Sequence, residues 1–250
     1  MIPPYLSHMM IADPAGPLQD RVYPTARPAM RGPYLIRNPS AAAIMTMLDA
    51  ALGNIPRRQP SPPPEPRRIL LCNWAHLGDV LLTLPAVGWL RERFPDAELG
   101  FLAGSWSAPI LHDARDEIAR VHTIDHHRLA RSGDRKVRMR QHVETARTAI
   151  REIRAVGYDV AIDFHPFFPN AGFTLWRAGV PVRIGWTSGG LGAFFTHGVR
   201  RIDADRHVID YHQDLLAIVA PETQPTPGCL RPVYFRTGPA SPLPAPLSDG

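Results

Sequence analysis

The sequence predicts an α/β fold built on a doubly wound parallel sheet. Three observations carry that reading. Ile69 to Cys72 is a short unbroken apolar run behind two arginines, the pattern of a parallel strand buried on both faces. From Asp79 onward Val80, Leu81, Leu84, Val87 and Leu90 recur at helical spacings, so strand, loop and helix follow one another. The same alternation continues through the middle of the chain, and strands alternating with helices fold as a parallel sheet covered on both sides.

The first strand feeds a loop from Asn73 to Gly78 and then a helix that ends before the Phe94-Pro95-Asp96 turn. Glu98 to Ala103 (ELGFLA) is the second strand, and Gly104 opens a loop into a short helix around Ala108 to His112. Val121 to Asp125 is a third strand, followed by a polar, basic loop. In the long helix from Val137 to Val156, Val137, Val143, Ala146, Ile150 and Ile153 make one stripe, with Arg138, Arg147, Arg151 and Arg154 largely off it. It is expected to pack on the sheet and show arginine to water. Gly157 stops it. Asp159 to Phe164 is a fourth strand with a carboxylate at its far end; a helix at about Ala171 to Ala178 leads to a short strand, Val182 to Gly185. His207 to Ala220 closes the pattern, with Val208, Tyr211, Leu215, Ile218 and Val219 as its apolar stripe.

At 250 residues and 44% hydrophobic content the chain can bury a core. Its 28 prolines cluster at the two ends, leaving a proline-poor middle that is a normal size for one domain. Residues 1 to 66 read as a proline-rich, largely irregular extension with a candidate amphipathic helix at Ala41 to Leu52; residues 67 to 220 form the domain; residues 221 to 250 are a proline-rich tail. The segment RRQPSPPPEPRR, Arg57 to Arg68, has the composition of a stiff polyproline spacer.

Net charge is +5, but Lys136 is the only lysine among 28 basic residues. Such a skew reflects a general residue bias, and no nucleic-acid partner is expected. Cys72 in a buried strand and Cys229 in the tail make no disulfide framework, which fits a reducing, cytoplasmic setting. Pro3, Pro4 and His8 interrupt the N-terminal apolar residues and no basic region precedes them, so no export signal is read. Residues 69 to 90 approach membrane-spanning length, yet Asn73, His76, Asp79 and Pro85 would have to enter hydrocarbon.

Ligands of open α/β sheets bind at the carboxyl ends of the strands, which makes the Asn73 to Asp79 loop the place to look for chemistry. Asp79 is the one carboxylate there. It could act as a base, or merely cap the helix, a common task for aspartate. Helix N-termini favour the ionised form of such a residue. His76 lies in the same loop as either a functional or an ordinary histidine. His122, Asp125, His126 and His127 have a metal-like composition, but alternate strand residues face apart and no distant ligand is evident, so no metal is expected.

Four stretches now fall into one order and spacing: LGDVLLTLPAVGWLRERFPDAELGFLAG, YDVAIDFH, VRIGW with a following GG and FFTH, and HVIDYHQDLL. Together they resemble the N-terminal half of glycosyltransferase family nine, the ADP-heptose:lipopolysaccharide heptosyltransferases, over about Arg67 to Val219. The resemblance implies the Rossmann-like acceptor domain of a GT-B enzyme, whose second domain grips a nucleotide-sugar donor. It implies that Asp79 is the general base of an inverting transfer, that Asn73, His76, Gly78, Asp163, His165, Ser188, Gly189 and Gly190 line the acceptor side, and that no cofactor is needed. The donor would be a nucleotide sugar of ADP-heptose type and the acceptor a lipid-linked saccharide, met at the cytoplasmic face of the inner membrane.

The departures from the pattern bear on that expectation. Asn73 stands where the family typically has arginine or lysine, and His165 and Pro166 replace Gln-Gly. The Ser188 to Gly190 loop lacks the lysine and glycine spacing of a phosphate cradle. The family's donor-binding segments have no counterpart by Gly250, so the sequence reads either as the acceptor half of a truncated or split enzyme, with a donor domain supplied in trans, or as a non-catalytic acceptor-binding module.

Overall fold

The structure, a computed structural model, describes residues 34–36, 38–53, 60–114, 117–127, 134–200, 207–223 and 230. The first 33 residues, part of the polyproline spacer, the basic loop after the third strand, and most of the proline-rich tail with Cys229 lie outside the described residues.

The described residues form a six-stranded, all-parallel sheet. Its strands are β1 (Arg68–Cys72), β2 (Glu98–Ala103), β3 (Arg120–Thr123), β4 (Val160–Asp163), β5 (Val182–Trp186) and β6 (His197–Val199), and they lie in the order β3-β2-β1-β4-β5-β6. The helices are α1 (Pro39–Gly53), α2 (Leu77–Arg93), α3 (Arg135–Val156), α4 (Gly172–Ala178) and α5 (Val208–Val219). β6 was not expected. Its three residues, His197, Gly198 and Val199, carry no apolar run, and only pairing with β5 makes them a strand.

Side chains alternate across the pleat and feed two cores. Ile69 and Leu71 of β1 pack with Val80, Leu84, Val87 and Leu90 of α2 and with Leu215 and Leu216 of α5. Leu70 and Cys72 point the other way, onto Ala149 and Ile153 of α3 and Leu175 and Ala178 of α4. Ile69, Leu70 and Leu71 are completely buried, and each such side chain contributes about 1.5–3 kcal/mol relative to exposure. Hydrogen bonds fix the ends of these elements. Both Arg67 and Arg68 donate their backbone N–H to Asp159 Oδ2, at 2.8 and 2.9 Å, which ties the entry of β1 to that of β4. Asp134 caps α3 by accepting from the Val137 N–H at 2.8 Å, and Gly157 ends it with φ of 70°.

α3 departs from its expected packing. Only Ala149 and Ile153 are fully buried, while Val137, Met139 and Val143 are exposed. The cause is length. A helix of 22 residues runs about 33 Å, whereas strands of three to six residues run about 10–20 Å, so the first half of α3 overhangs the sheet.

In the N-terminal extension the expected helix at Ala41 to Leu52 is present as α1. α1 begins beneath an Asn38 cap, whose Oδ1 accepts from the Ser40 and Ala41 N–H groups. It is held against the segment after β5: Leu35 N–H donates to Ser188 O at 2.8 Å, and Met45 is buried over Gly190. Gly190 has φ of 82°, and a Cβ there would lie 2.2 Å from Met45 Cγ. Gly189 is tighter in kind, since a Cβ would fall 2.7 Å from the backbone carbon and oxygen of Phe167, which no rotamer change can relieve. Gly189→Ala is therefore expected to destabilise the domain by about 1–3 kcal/mol, the usual scale of overpacking. A thermal melt that matches wild type would show that the two loops are not locked together.

Candidate functional site at the strand-order reversal

β1 has β2 on one side and β4 on the other, so the chain leaves β1 and β4 in different directions and a crevice opens between their following loops. Cys72 and Asp163 are register partners at its floor. The first wall is the Asn73 to His76 loop with the start of α2. The helix begins at Leu77, two residues earlier than its apolar stripe indicates, which makes Asp79 its third residue. His76 is the N-cap, and its backbone N–H donates to Asp79 Oδ2 at 3.0 Å. That is the only hydrogen bond of this carboxylate among the described residues. Asp79 is half-buried, with His76, Leu77 and Gly78 exposed around it. A Cβ built on Gly78 meets nothing within 4 Å, so the space above the first turn is open.

Asn73 does not open onto that space. It is 3% exposed; its Nδ2 donates to Asp79 O and to Thr83 Oγ1, both at 3.0 Å, and its Oδ1 accepts from the Ala75 N–H at 3.3 Å. Where an arginine or lysine would reach outward, the shorter amide turns in and braces the turn that carries Asp79. This corrects the expectation that Asn73 faces the cleft.

The second wall follows β4. Asp163 is 1% exposed, and its two oxygens accept from the N–H groups of His165 (3.1 Å) and Ala171 (2.5 Å), folding the intervening loop back onto the strand end. Burial pushes its pKa from an ordinary 3.8 up to about 7, with the Ala171 and His165 N–H groups holding it down. His165 is buried, its ring 5.7 Å from the exposed Phe167. Ser188, Gly189 and Gly190 are all buried: Ser188 Oγ donates to Pro166 O at 3.0 Å, and Gly190 O accepts from Asn170 Nδ2 at 2.6 Å. The segment therefore fastens the β4 loop beneath α1 and is not an open cradle, because its glycines are needed for close packing.

Two tryptophans and one histidine at this edge escaped the sequence reading. Trp74 Nε1 donates to Pro169 O at 2.9 Å, which joins the two walls, and Trp106 Nε1 donates to Ala75 O at 2.7 Å. An apolar ring anchored in a loop by its N–H was the available signal. The histidine is His142. His122 turns away as expected, to Glu152 and Tyr158 at 3.0 Å each, but His126 and His127 continue past β3 and meet His142 of α3. Their ring centroids lie 4.3–5.6 Å apart. A third imidazole that the sequence did not reveal thus joins them, fifteen residues beyond His127 and brought in by tertiary packing. Burial, and then the neighbouring His127, lower the pKa of His142.

Among the described residues the crevice thus offers a half-buried carboxylate, Asp79, next to the exposed His76. Such a pair can hydrogen-bond a sugar hydroxyl and take a proton from it.

A family 9 glycosyl transferase from Veillonella parvula superposes on this chain with a TM-score of 0.50 and 22% identity, over 65% of this chain and 44% of its own. The described domain has the fold of the matching part of that glycosyl transferase. The E. coli heptosyltransferase WaaC, solved with ADP-2-deoxy-2-fluoro heptose, aligns at a TM-score of 0.49 and 21% identity over 63% of this chain and 50% of its own. E. coli ADP-heptose lps heptosyltransferase II gives 0.41 and 19%, over 52% and 34%. The chain spans about half the length of these structures, or less. No family model matches the sequence, and no curated protein matches it. Among the described residues no helix is long and apolar enough to cross a membrane.

The raised pKa of Asp163 has a sign that can be checked. Between about pH 4 and pH 7 the unfolded chain has lost this proton while the folded chain keeps it, so stability falls as pH rises through that window and is level on either side. At roughly 1.4 kcal/mol per pKa unit the change amounts to a few kcal/mol. Denaturant melts of Asp163→Asn should lack this slope. Equal slopes in variant and wild type would mean that the carboxyl is not held protonated by burial.

Proposed function

We propose that this domain is the acceptor-binding half of an inverting glycosyltransferase of the heptosyltransferase type, with Asp79 as its general base. The supporting observation is the placement of Asp79. It stands at the strand-order reversal with one oxygen fixed by the His76 N–H, the other uncommitted among the described residues, and open space over Gly78 beside it. In the reaction, Asp79 takes the proton of an acceptor hydroxyl as that oxygen attacks the anomeric carbon from the face opposite the leaving group. The bond to the diphosphate breaks, and the diphosphate departs with the electron pair. His76 and the exposed ring of Phe167 would hold the sugar acceptor. Asn73, Asp163, His165 and Ser188–Gly190 would act behind them by fixing the loops.

The donor is a nucleotide sugar in this reading, and its binding belongs to a second domain, as the resemblance implies. Positioning the two substrates can supply several kcal/mol of the barrier. A non-catalytic acceptor-binding module is the second reading. What favours it is that, among the described residues, neither wall of the crevice carries a lysine or arginine to meet an acidic acceptor.

The location proposed is the cytoplasmic face of a membrane, with α3 as the contact. Its overhanging half exposes Val137, Met139 and Val143 among Arg135, Lys136, Arg140 and Arg147. Apolar groups flanked by arginines suit anionic headgroups, at about 1 kcal/mol per basic residue near the surface.

Two outcomes are expected. In a preparation competent for transfer, with a donor domain supplied in trans where needed, Asp79→Asn should lower turnover by a factor on the order of a hundred or more. Gly78→Ala should leave the melting temperature unchanged or higher while weakening acceptor binding, because the added methyl enters only the open space. Turnover retained in Asp79→Asn together with a lower melting temperature would make Asp79 a helix cap and favour the binding module. Co-sedimentation with anionic vesicles should fall as salt rises and be reduced by Arg135→Gln with Arg140→Gln. Salt-insensitive binding would transfer the contact to the exposed Ile44, Met47 and Leu48 of α1.

A further inference from the structure

We propose that His126, His127 and His142 form a binding site for one divalent transition-metal ion of the zinc class. Each offers a ring nitrogen, and these atoms all lie within 4.8 Å of one another. Imidazole nitrogens bound to Zn²⁺ at 2.0–2.1 Å are about 3.4 Å apart in a tetrahedral site, a closure that small rotations of the rings can supply. An all-imidazole donor set suits zinc, copper, cobalt or nickel and is poor for magnesium or calcium. Three protein ligands leave a fourth position for water or an anionic oxygen.

The site is held from behind. Asp125, the residue before His126, is buried and fastens the end of β3 to the turn of α3 that carries His142. Its Oδ1 accepts from the Ser105 N–H at 2.9 Å and its Oδ2 from Gln141 Nε2 at 2.6 Å, while its own N–H donates to Thr145 Oγ1 at 3.0 Å. His126 is further oriented by Trp74, stacked at 6.4 Å, and by the edge-on Phe168 at 6.2 Å. The His142 ring hydrogen-bonds the Asp125 backbone carbonyl, the outer contact that commonly sets the tautomer of a metal ligand. Its Nδ1 is buried and has no hydrogen-bond partner among the described residues. Such an atom costs free energy unless something binds it. Three clustered imidazoles explained by packing alone would leave that nitrogen unaccounted for.

The ion would join β3 to α3 at the rim of the crevice, one ring away from Trp74 and the β1 loop. The site is independent of the glycosyltransferase reading and is tested without turnover. The 250-residue chain, free of any affinity tag, is titrated with Co²⁺ and followed by visible absorption, then with Zn²⁺ by calorimetry in competition with a chelator. One ion per chain is expected, with nitrogen-ligand Co²⁺ bands that Zn²⁺ abolishes. His142→Gln and the half-exposed His127→Gln should each weaken Zn²⁺ binding at least a hundredfold while keeping the metal-free melting temperature, and His112→Gln should bind as wild type. Less than one ion bound, or full affinity in both folded variants, or an equal loss in His112→Gln, overturns the site. Should His142→Gln not fold, His127→Gln alone decides.

Discussion

The pairing of β1 with β4 is the constraint on which the rest of this domain depends. The two strands are separated in sequence by two strands and two helices, yet Cys72 and Asp163 end side by side. That pairing is anchored at its start by a single carboxylate oxygen of Asp159 receiving the Arg67 and Arg68 N–H groups. At its finish Asp163 draws back the loop that follows β4. Because β2 lies beyond β1 and β5 beyond β4, the two outgoing loops part, and the crevice is a consequence of strand order. The side chains within it inherit their positions from that geometry.

Several positioning groups then act by closing off alternatives. Trp74 crosses the crevice to Pro169, Asn73 fills the turn beneath Asp79, and Met45 of α1 covers Gly190. The last contact gives the N-terminal extension a physical role. A helix whose own apolar face is largely exposed is held through one buried methionine, the Leu35 to Ser188 hydrogen bond and an internal Tyr34 to Asp49 bond. Tightness at Gly189 and Gly190 transmits the placement of α1 to the β4 loop, so an element outside the sheet supports one wall of the site.

How much of this was legible in the sequence depended on whether the information was local. Apolar runs and helical spacing located β1 to β5, α2, α3 and α5 to within a few residues, since burial on both faces leaves a clear pattern. β6 could not be read, because its identity as a strand resides in β5. The overhang of α3 was invisible for a related reason: periodicity reports which face is apolar, not how far the sheet extends beneath it. The place of Asp79 in the first turn of α2 was legible because helix start and strand end are both local signals. Asn73, Ser188 and His142 needed tertiary knowledge, as an amide turns inward and a distant histidine arrives only once α3 has crossed the sheet.

The two carboxylates at the crevice show why geometry must precede electrostatics in choosing a base. Asp163, with a pKa near 7, has the value that a general base working at neutral pH would want, and a search on perturbed titration would select it first. Its shift comes from burial, and the same burial disqualifies it. Both oxygens are already engaged by backbone N–H groups, and no hydroxyl can approach a side chain that is 1% exposed. Asp79 has the opposite arrangement. One oxygen accepts the His76 N–H and fixes the carboxylate's direction, and the half-exposed side chain adjoins the open space above Gly78. A helix cap and a catalytic carboxylate therefore need the same first contact, and what separates them is whether the second oxygen has somewhere to reach. Here it does, and in the proposed reaction the capping hydrogen bond would preorganise Asp79 as the base.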